Sequence, residues 1–244
     1  MKRTQKSSGV CVVVPMFNEE AIAQASIRAI ITAMKQISFR IHLVVINDGS
    51  SDQTKMILEK EAQHFPSLLT VVSHPKNRGY GSALRTGVKT AAALGYEWVL
   101  FMDSDLTNDP KDIHRFIDCI NPEIDCVKAS RYTKGGGMVG VPMYRQLCSR
   151  IGNTIASLCF RMGIRDCTNG FRMVRTDALS KIVLHEQKFA IIVEELYELK
   201  KRHARCVSIP VVLTNRKTAT SHFQYSLSTF VSYAKYVIKA ATLN

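Results

Sequence analysis

Short apolar runs punctuate the first half of the chain: Val10 to Pro15, Ile41 to Asn47, Leu69 to Ser73, Trp98 to Met102 and Cys126 to Ala129. Each is too short for a helix, and most are rich in Val, Ile or Leu, so they read as strands buried on both faces. The stretches between them follow a different period. Ile22, Ala25, Ala29, Ile30 and Ala33 recur at three- and four-residue spacing within Glu19 to Ile37, which predicts a helix with one apolar face. Further helices are predicted over Asp52 to His64 after a Ser-Ser-Asp cap, over Gly79 to Leu94, and over Pro110 to Cys119, where Pro110 suits a first turn. This alternation predicts an α/β fold: a Rossmann-like, doubly wound, mostly parallel sheet with helices on both faces.

After residue 130 the alternation stops. Glycines at 135, 136, 137 and 140 lead into a predicted helix from Met143 to Met162, followed by a strand at Val207 to Leu213 and a helix over Leu227 to Ala241. In that last helix Leu227, Phe230, Val231, Ala234, Val237, Ile238 and Ala241 share one face, with Lys235 and Lys239 flanking it. Such a stripe either lies in a membrane interface or packs on the sheet.

The chain has 244 residues, of which 46% are hydrophobic and 22% charged, so it builds a core of ordinary size and needs no second domain. Lys and Arg number 33 against 20 Asp and Glu, a formal charge of +13 that points to an acidic partner. Nucleic acid, anionic lipid and phosphorylated small molecules all qualify. No helix-turn-helix signature, zinc spacing or aromatic-basic platform accompanies the charge, which sets nucleic acid aside. The cysteines, seven in all, are odd in number and never form C-x-x-C, which is expected of reduced core thiols in a cytosolic setting. Met1 to Gly9 is basic without a following apolar segment, so no signal peptide is expected, and no apolar run is long enough to predict a membrane span.

In open α/β sheets ligands bind beyond the carboxyl ends of the strands. Here the first predicted strand ends in Pro15-Met16-Phe17-Asn18-Glu19, the second in Asn47-Asp48-Gly49-Ser50-Ser51-Asp52, and the fourth in Met102-Asp103-Ser104-Asp105. Carboxylates gathered at a sheet edge need pairing, water or a cation. An Asp-x-Asp spacing of hard oxygens suits Mg²⁺ or Mn²⁺ bridging to substrate phosphates. The spacing alone is common, and its place at a strand end is what gives it weight. Asp48 has a second reading, because Asp-Gly-Ser-Ser-Asp is also good turn and capping chemistry. Asn77 to Ala83 lacks the third glycine of a dinucleotide fingerprint and reads instead as a loop facing the ligand.

The order Pro-x-x-Asn-Glu, Asn-Asp-Gly-Ser-Ser-Asp, Asn-x-Gly-x-Gly-x-Ala and a strand ending in Asp-x-Asp resembles the family 2 glycosyltransferases of the GT-A fold. Ala129-Ser130-Arg131, the run Asp166-Cys167-Thr168-Asn169-Gly170-Phe171-Arg172, and Ile209-Pro210 followed by Asn215-Arg216-Lys217 are similar to the dolichol-phosphate mannose synthase branch. The resemblance covers about Val10 to Ser221. It implies a single domain, 1–244, with a nucleotide-sugar-binding half at 10–129, an acceptor half at 130–225 and a C-terminal helix at 226–244.

By that resemblance Pro15, Phe17 and Glu19 hold the nucleotide base and ribose, Asp48 contacts the base, Asp103 and Asp105 hold the metal and diphosphate, and Ser104 between them belongs to the donor nucleotide site. Arg131, Arg145 and Ser149 hold an acceptor phosphate, and Arg216 and Lys217, with Ser221 beyond, belong to a loop that closes over both substrates. Ala219 replaces that loop's usual glycine, while Met16 and Thr107 depart from common residues near the donor. Asp105, Arg131 and Asp166 are the residues expected to act in catalysis, with Asp166 either orienting the acceptor, serving as base, or capping the turn after it. The implied reaction is inverting, metal-dependent transfer of a hexose, by default mannose from GDP-mannose, to dolichyl or undecaprenyl phosphate at the cytoplasmic face of a membrane. A small membrane-anchored partner is consistent with the missing span. A family 2 enzyme acting on a hydroxyl acceptor is the alternative, and a non-catalytic nucleic-acid binder the remote one.

Overall fold

The computed structural model describes residues 8–214 and 227–243. Its main sheet contains β1 (Gly9–Met16), β2 (Arg40–Asn47), β3 (Leu69–Ser73), β4 (Trp98–Phe101), β5 (Cys126–Ser130), β7 (Arg172–Arg175) and β8 (Cys206–Pro210), in the order β3-β2-β1-β4-β7-β5-β8. All run the same way except β7, which is antiparallel to both neighbours. A separate ribbon pairs β6 (Gly137–Met138) with β9 (Val212–Leu213).

Alternation along the strands sorts side chains between two layers. Val10, Val12, Val14 and Met16 pack on one face with α1 (Ala23–Met34), α2 (Thr54–His64) and α4 (Ile113–Ile117). Cys11 and Val13 pack on the other with α3 (Tyr80–Ala93), α6 (Thr176–Ser180) and α7 (Ile191–Lys201). Burying Ile27, Ile30 or Ile31 of α1 is worth about 1.5–3 kcal/mol each against leaving it exposed. A third cluster joins α7 to α5 (Met143–Phe160) and α8 (Leu227–Ala241) through Ala156, Phe160, Val193, Leu196, Tyr236 and Ala240. The C-terminal helix therefore packs on α5 and α7 rather than on the sheet.

Several expectations change. The helix expected over Pro110 to Cys119 is a 3₁₀ turn, Pro110–Asp112, opened by Asp109 accepting from the Lys111 N–H, followed by the short α4. The strand expected at Val207 to Leu213 breaks in two. Pro210 supplies no N–H, so β8 ends there and the chain crosses to pair with β6. From the segment after residue 130, where the alternation stops, β7 is inserted between β4 and β5 of the first segment. Of the cysteines, Cys11, Cys126 and Cys167 are buried, but Cys148 is exposed.

β7 is held in register by charge. Arg172 is fully buried on the α7 side of the sheet, paired through Nε and Nη2 to Glu195 at 2.6 and 2.8 Å, with its guanidinium 4.2 Å from the Phe101 ring centre. A slip of one residue would carry that arginine to the opposite face, away from Glu195, so the pair specifies the alignment.

Gly87 sits where α3 crosses β1, and a Cβ there would stand 2.2 and 3.1 Å from the two methyls of Val13. Gly87→Ala should therefore lower stability by about 1–3 kcal/mol, although alanine is the better helix former by about 1 kcal/mol. Urea denaturation checks the sign, and adding Val13→Ala should recover most of the loss.

Candidate active site

The carboxyl ends of β1, β2 and β4 open on a cleft of about 900 Å³ whose far wall is made by α5 and α8. Pro15, Phe17, Glu19, Asp48, Asp103, Ser104 and Asp105 all line it, and so do Arg131, Arg145 and Ser149. Asp166 does not line it and is fully buried. Arg216, Lys217 and Ser221 lie outside the described residues.

The loop after β1 is stapled to the loop after β2. The Glu19 N–H donates to Thr54 Oγ1 at 2.8 Å, and Asn18, at a left-handed φ of 53°, accepts the Ser51 N–H at 2.9 Å. Ser104 Oγ reaches Glu19 Oε1 at 3.4 Å, which ties this loop to the end of β4.

Asp48 does not cap α2. That task falls to Asp52, whose carboxylate accepts the Thr54 N–H at 2.9 Å. Instead, Asp48 accepts the N–H groups of Arg78 and Gly79 at 3.0 and 2.8 Å, and His74 Nδ1 lies 2.6 Å from its Oδ1. His74 Nε2 is in turn 2.9 Å from Thr86 Oγ1 on α3. A buried carboxylate and imidazole thus fix the loop that opens α3. Sequence reasoning missed His74, although its position directly after β3 at the same sheet edge was the available signal.

At the end of β4, Asp105 Oδ1 accepts from the Thr107 N–H and hydroxyl at 3.1 and 2.8 Å. The Tyr80 hydroxyl donates to Asp103 Oδ1 at 3.1 Å, and burial together with that carboxylate pushes the phenol well above its ordinary value. A Cβ at Gly170 would lie 3.0 Å from Asp103 Oδ2, so the glycine keeps space beside the carboxylate. Among the described residues no cluster of three His, Cys, Asp or Glu side chains could hold a metal ion by itself. Asp103 and Asp105 offer hard oxygen atoms, and fit a divalent ion whose remaining ligands come from substrate phosphate and water, as Mg²⁺ prefers.

On the opposite side, Arg131 follows β5 and grips Asp166 through Nε and Nη2 at 2.7 and 2.9 Å, with its own N–H adding a third bond at 3.1 Å. The same carboxylate caps the turn at the Asn169 N–H, 3.2 Å away. Burial alone would raise the Asp166 carboxyl, but the charge and hydrogen bonds of Arg131 outweigh it and hold the group below the usual range. Ser149 accepts the Tyr132 hydroxyl at 2.6 Å, and Arg145 lies one turn before it on α5. Beneath the loop, Lys128 of β5 is fully buried and donates to the Asn169 carbonyl at 2.6 Å. Burial and the nearby Arg172 push its ammonium below the ordinary lysine value.

Residues 11–183 match the model of the family described as Glycosyl transferase family 2, and the chain belongs to that family. It is a glycosyltransferase, built on the GT-A arrangement expected from the sequence. Polyprenol monophosphomannose synthase of Mycolicibacterium smegmatis is 25% identical over 213 residues, covering 86% of this chain and 79% of that protein. Dolichol-phosphate mannosyltransferase of Pyrococcus furiosus is 28% identical over 203 residues, 82% of this chain but 55% of the longer relative. The solved structure of glucosyl-3-phosphoglycerate synthase from Mycobacterium tuberculosis with uridine diphosphate superposes with a TM-score of 0.65 at 18% identity, covering 97% of this chain and 81% of that one. The same enzyme with Mn²⁺, uridine diphosphate and glucosyl-3-phosphoglycerate gives 0.63 at 20% identity, with 96% and 78% covered.

Removing the Asp166 carboxylate takes the charge-assisted bonds at Nε and Nη2 from a nearly buried guanidinium, so Asp166→Ala should cost about 3–5 kcal/mol of stability. Because the folded carboxyl is depressed, its contribution is complete above the ordinary carboxylate value of about 3.9 and is lost as pH falls further. Urea midpoints of wild type and variant should therefore converge in acid.

Proposed function

We propose that this enzyme transfers a hexose from a nucleotide sugar to a polyprenyl monophosphate with inversion, mannose from GDP-mannose being the default donor. The observation that carries the reading is that Arg131, Arg145 and Ser149 line the same cleft as Asp103 and Asp105. One cleft thus has a carboxylate edge suited to a metal-bound diphosphate and a guanidinium edge suited to a second phosphate. The similarity to enzymes named for polyprenol- and dolichol-phosphate mannose transfer supports the acceptor class.

Asp103 and Asp105 would hold a divalent ion, which would supply charge neutralisation to the departing nucleoside diphosphate. Tyr80 and Thr107 orient those carboxylates, while Asp48 and Glu19 sit where base and ribose bind. Arg131 and Arg145 hold the acceptor phosphate, which is already an anion at neutral pH. Its oxygen lone pair forms the bond to the anomeric carbon as the bond to the diphosphate oxygen breaks and that electron pair leaves with the nucleoside diphosphate. No proton transfer is required. The hydroxyl-acceptor alternative needs a base in the cleft, and Asp166, fully buried and bound to Arg131 and Asn169, is better suited to positioning Arg131.

A lipid acceptor also needs an apolar surface. No helix among the described residues is long and apolar enough to cross a membrane. On α5, however, Leu147, Ile151, Ile155 and Leu158 are each more than half exposed, and Phe230, Val231 and Ile238 extend the surface along α8. Arg145, Arg150, Lys235 and Lys239 lie on the same two helices, and an apolar strip with flanking cations fits an anionic membrane surface.

Incubation with labelled GDP-mannose or UDP-glucose, with and without dolichyl or undecaprenyl phosphate, tests the reading. Product should form only with the lipid phosphate, should require Mg²⁺ or Mn²⁺, and should fall at least a hundredfold in Asp105→Asn. Transfer confined to a hydroxyl acceptor would overturn the lipid assignment. In flotation with vesicles containing phosphatidylserine, Leu147→Glu combined with Ile151→Glu should lose binding while soluble nucleotide binding persists. Equal flotation of the variant would remove α5 as the docking face.

A further inference from the structure

Asn169 stands between the two halves of the cleft. On one side, Asp166 holds Arg131 and also accepts the Asn169 N–H. On the other, Gly170 abuts Asp103 Oδ2. Three of its four polar groups are engaged within the protein: the N–H with Asp166 at 3.2 Å, the carbonyl with Lys128 Nζ at 2.6 Å, and Oδ1 with the Phe171 N–H at 3.0 Å. Among the described residues the side-chain Nδ2 has no partner, although Asn169 is only 6% exposed and lines the cleft. Turning the amide over would aim its NH₂ at the Phe171 N–H, so the orientation is settled by that bond. A buried donor left unpaired costs folding free energy, and such a group in a native fold calls for an explanation.

A ligand oxygen supplies one. In the proposed reaction the diphosphate departs on the Asp103 side and the acceptor phosphate enters on the Arg131 side, so the transferred group must lie between them. Asn169 occupies that interval, and a neutral amide N–H suits a neutral hydroxyl oxygen. We infer that Asn169 Nδ2 donates a hydrogen bond to a hydroxyl of the transferred hexose and helps the enzyme discriminate among sugars. Lys128, buried beneath the loop, pins the Asn169 carbonyl and keeps the amide in place. This assignment rests on the cleft being a nucleotide-sugar site.

Initial rates with GDP-mannose and UDP-glucose identify the donor that wild type accepts. Monodeoxy analogues of that donor are then compared across wild type, Asn169→Ala and the isosteric Asn169→Asp. In wild type, loss of the contacted hydroxyl should lower kcat/KM about tenfold. In Asn169→Ala that one penalty should shrink to near unity while the penalties at other hydroxyls persist, a coupling that a purely structural role would not produce. Both variants should bind GDP or UDP alone within about twofold of wild type, since the contact is to the sugar rather than the diphosphate. Unchanged penalties at every hydroxyl would overturn the inference. So would a loss of nucleoside diphosphate binding in both variants, which would assign Asn169 to the diphosphate or to the fold. If wild type transfers no hexose from any nucleotide sugar, the reading of the cleft fails and this inference with it; wild-type transfer with unchanged penalties removes the inference alone.

Discussion

The cations enclosed around residues 166–170 are the constraint on which the rest of the cleft depends. Lys128 and Arg172 are fully buried and Arg131 is nearly so. Taking each cation out of water costs several kcal/mol, so each has to be met by a carboxylate or carbonyl in good geometry. Asp166 and Glu195 meet the two arginines, and the carbonyls of Asn169 and Gly170 take further bonds from Lys128 and Arg172. The loop is consequently fixed at both ends, to β5 through Arg131 and to β7 and α7 through Arg172. Since β7 lies between β4 and β5, the loop crosses from the aspartates after β4 to the arginine after β5 and sets their separation.

The local part of this arrangement was legible in the sequence. Strands β1 to β5 are short apolar runs bounded by turn residues, and their carboxyl ends carry the residues that line the cleft. β7 was not legible, because Arg172-Met173-Val174-Arg175 places charges at both ends of a four-residue strand and reads as surface. Its burial requires Glu195 and Glu97, which come from distant parts of the chain. Asp48 kept two readings for the same reason: turn chemistry and ligand contact look alike in sequence, and its partner His74 comes from 26 residues away. The helix expected from Met143 to Met162 is present as α5, yet period alone does not say whether a stripe faces a core or the outside.

That outward stripe and the cleft wall belong to one helix, and the 3.6-residue period relates them. Tyr144, Arg145, Cys148, Ser149 and Gly152 line the cleft, Met143, Leu147, Ile151 and Leu158 are exposed without lining it, and Ile155 does both. A phosphate held by Arg145 is therefore within about one turn of the apolar surface that would accept its hydrocarbon chain. In an anionic lipid, headgroup and chain must be accommodated together, and a single helix meets both demands without a second element to align.

The α8 wall of the cleft is joined to the loop that opens α3 by a common support. The Tyr236 hydroxyl of α8 lies 2.9 Å from Glu186 Oε1 and 3.0 Å from Glu194 Oε1. The segment beginning at Glu186 also accepts the Gly81 N–H at the Gln187 carbonyl, 2.8 Å away, and Arg85 at the Glu186 carbonyl, 2.9 Å away. Gly81 and Arg85 belong to α3, whose opening loop is held by Asp48. Hydrogen bonds thus connect α8 to the Asp48 loop without passing through the cleft. The wall expected to meet the lipid and the loop expected to meet the nucleotide share one rigid mounting. The spacing between the proposed donor and acceptor sites is therefore a property of the scaffold, and in that reading the substrates have only to enter it in the right orientation to bring the reacting atoms together.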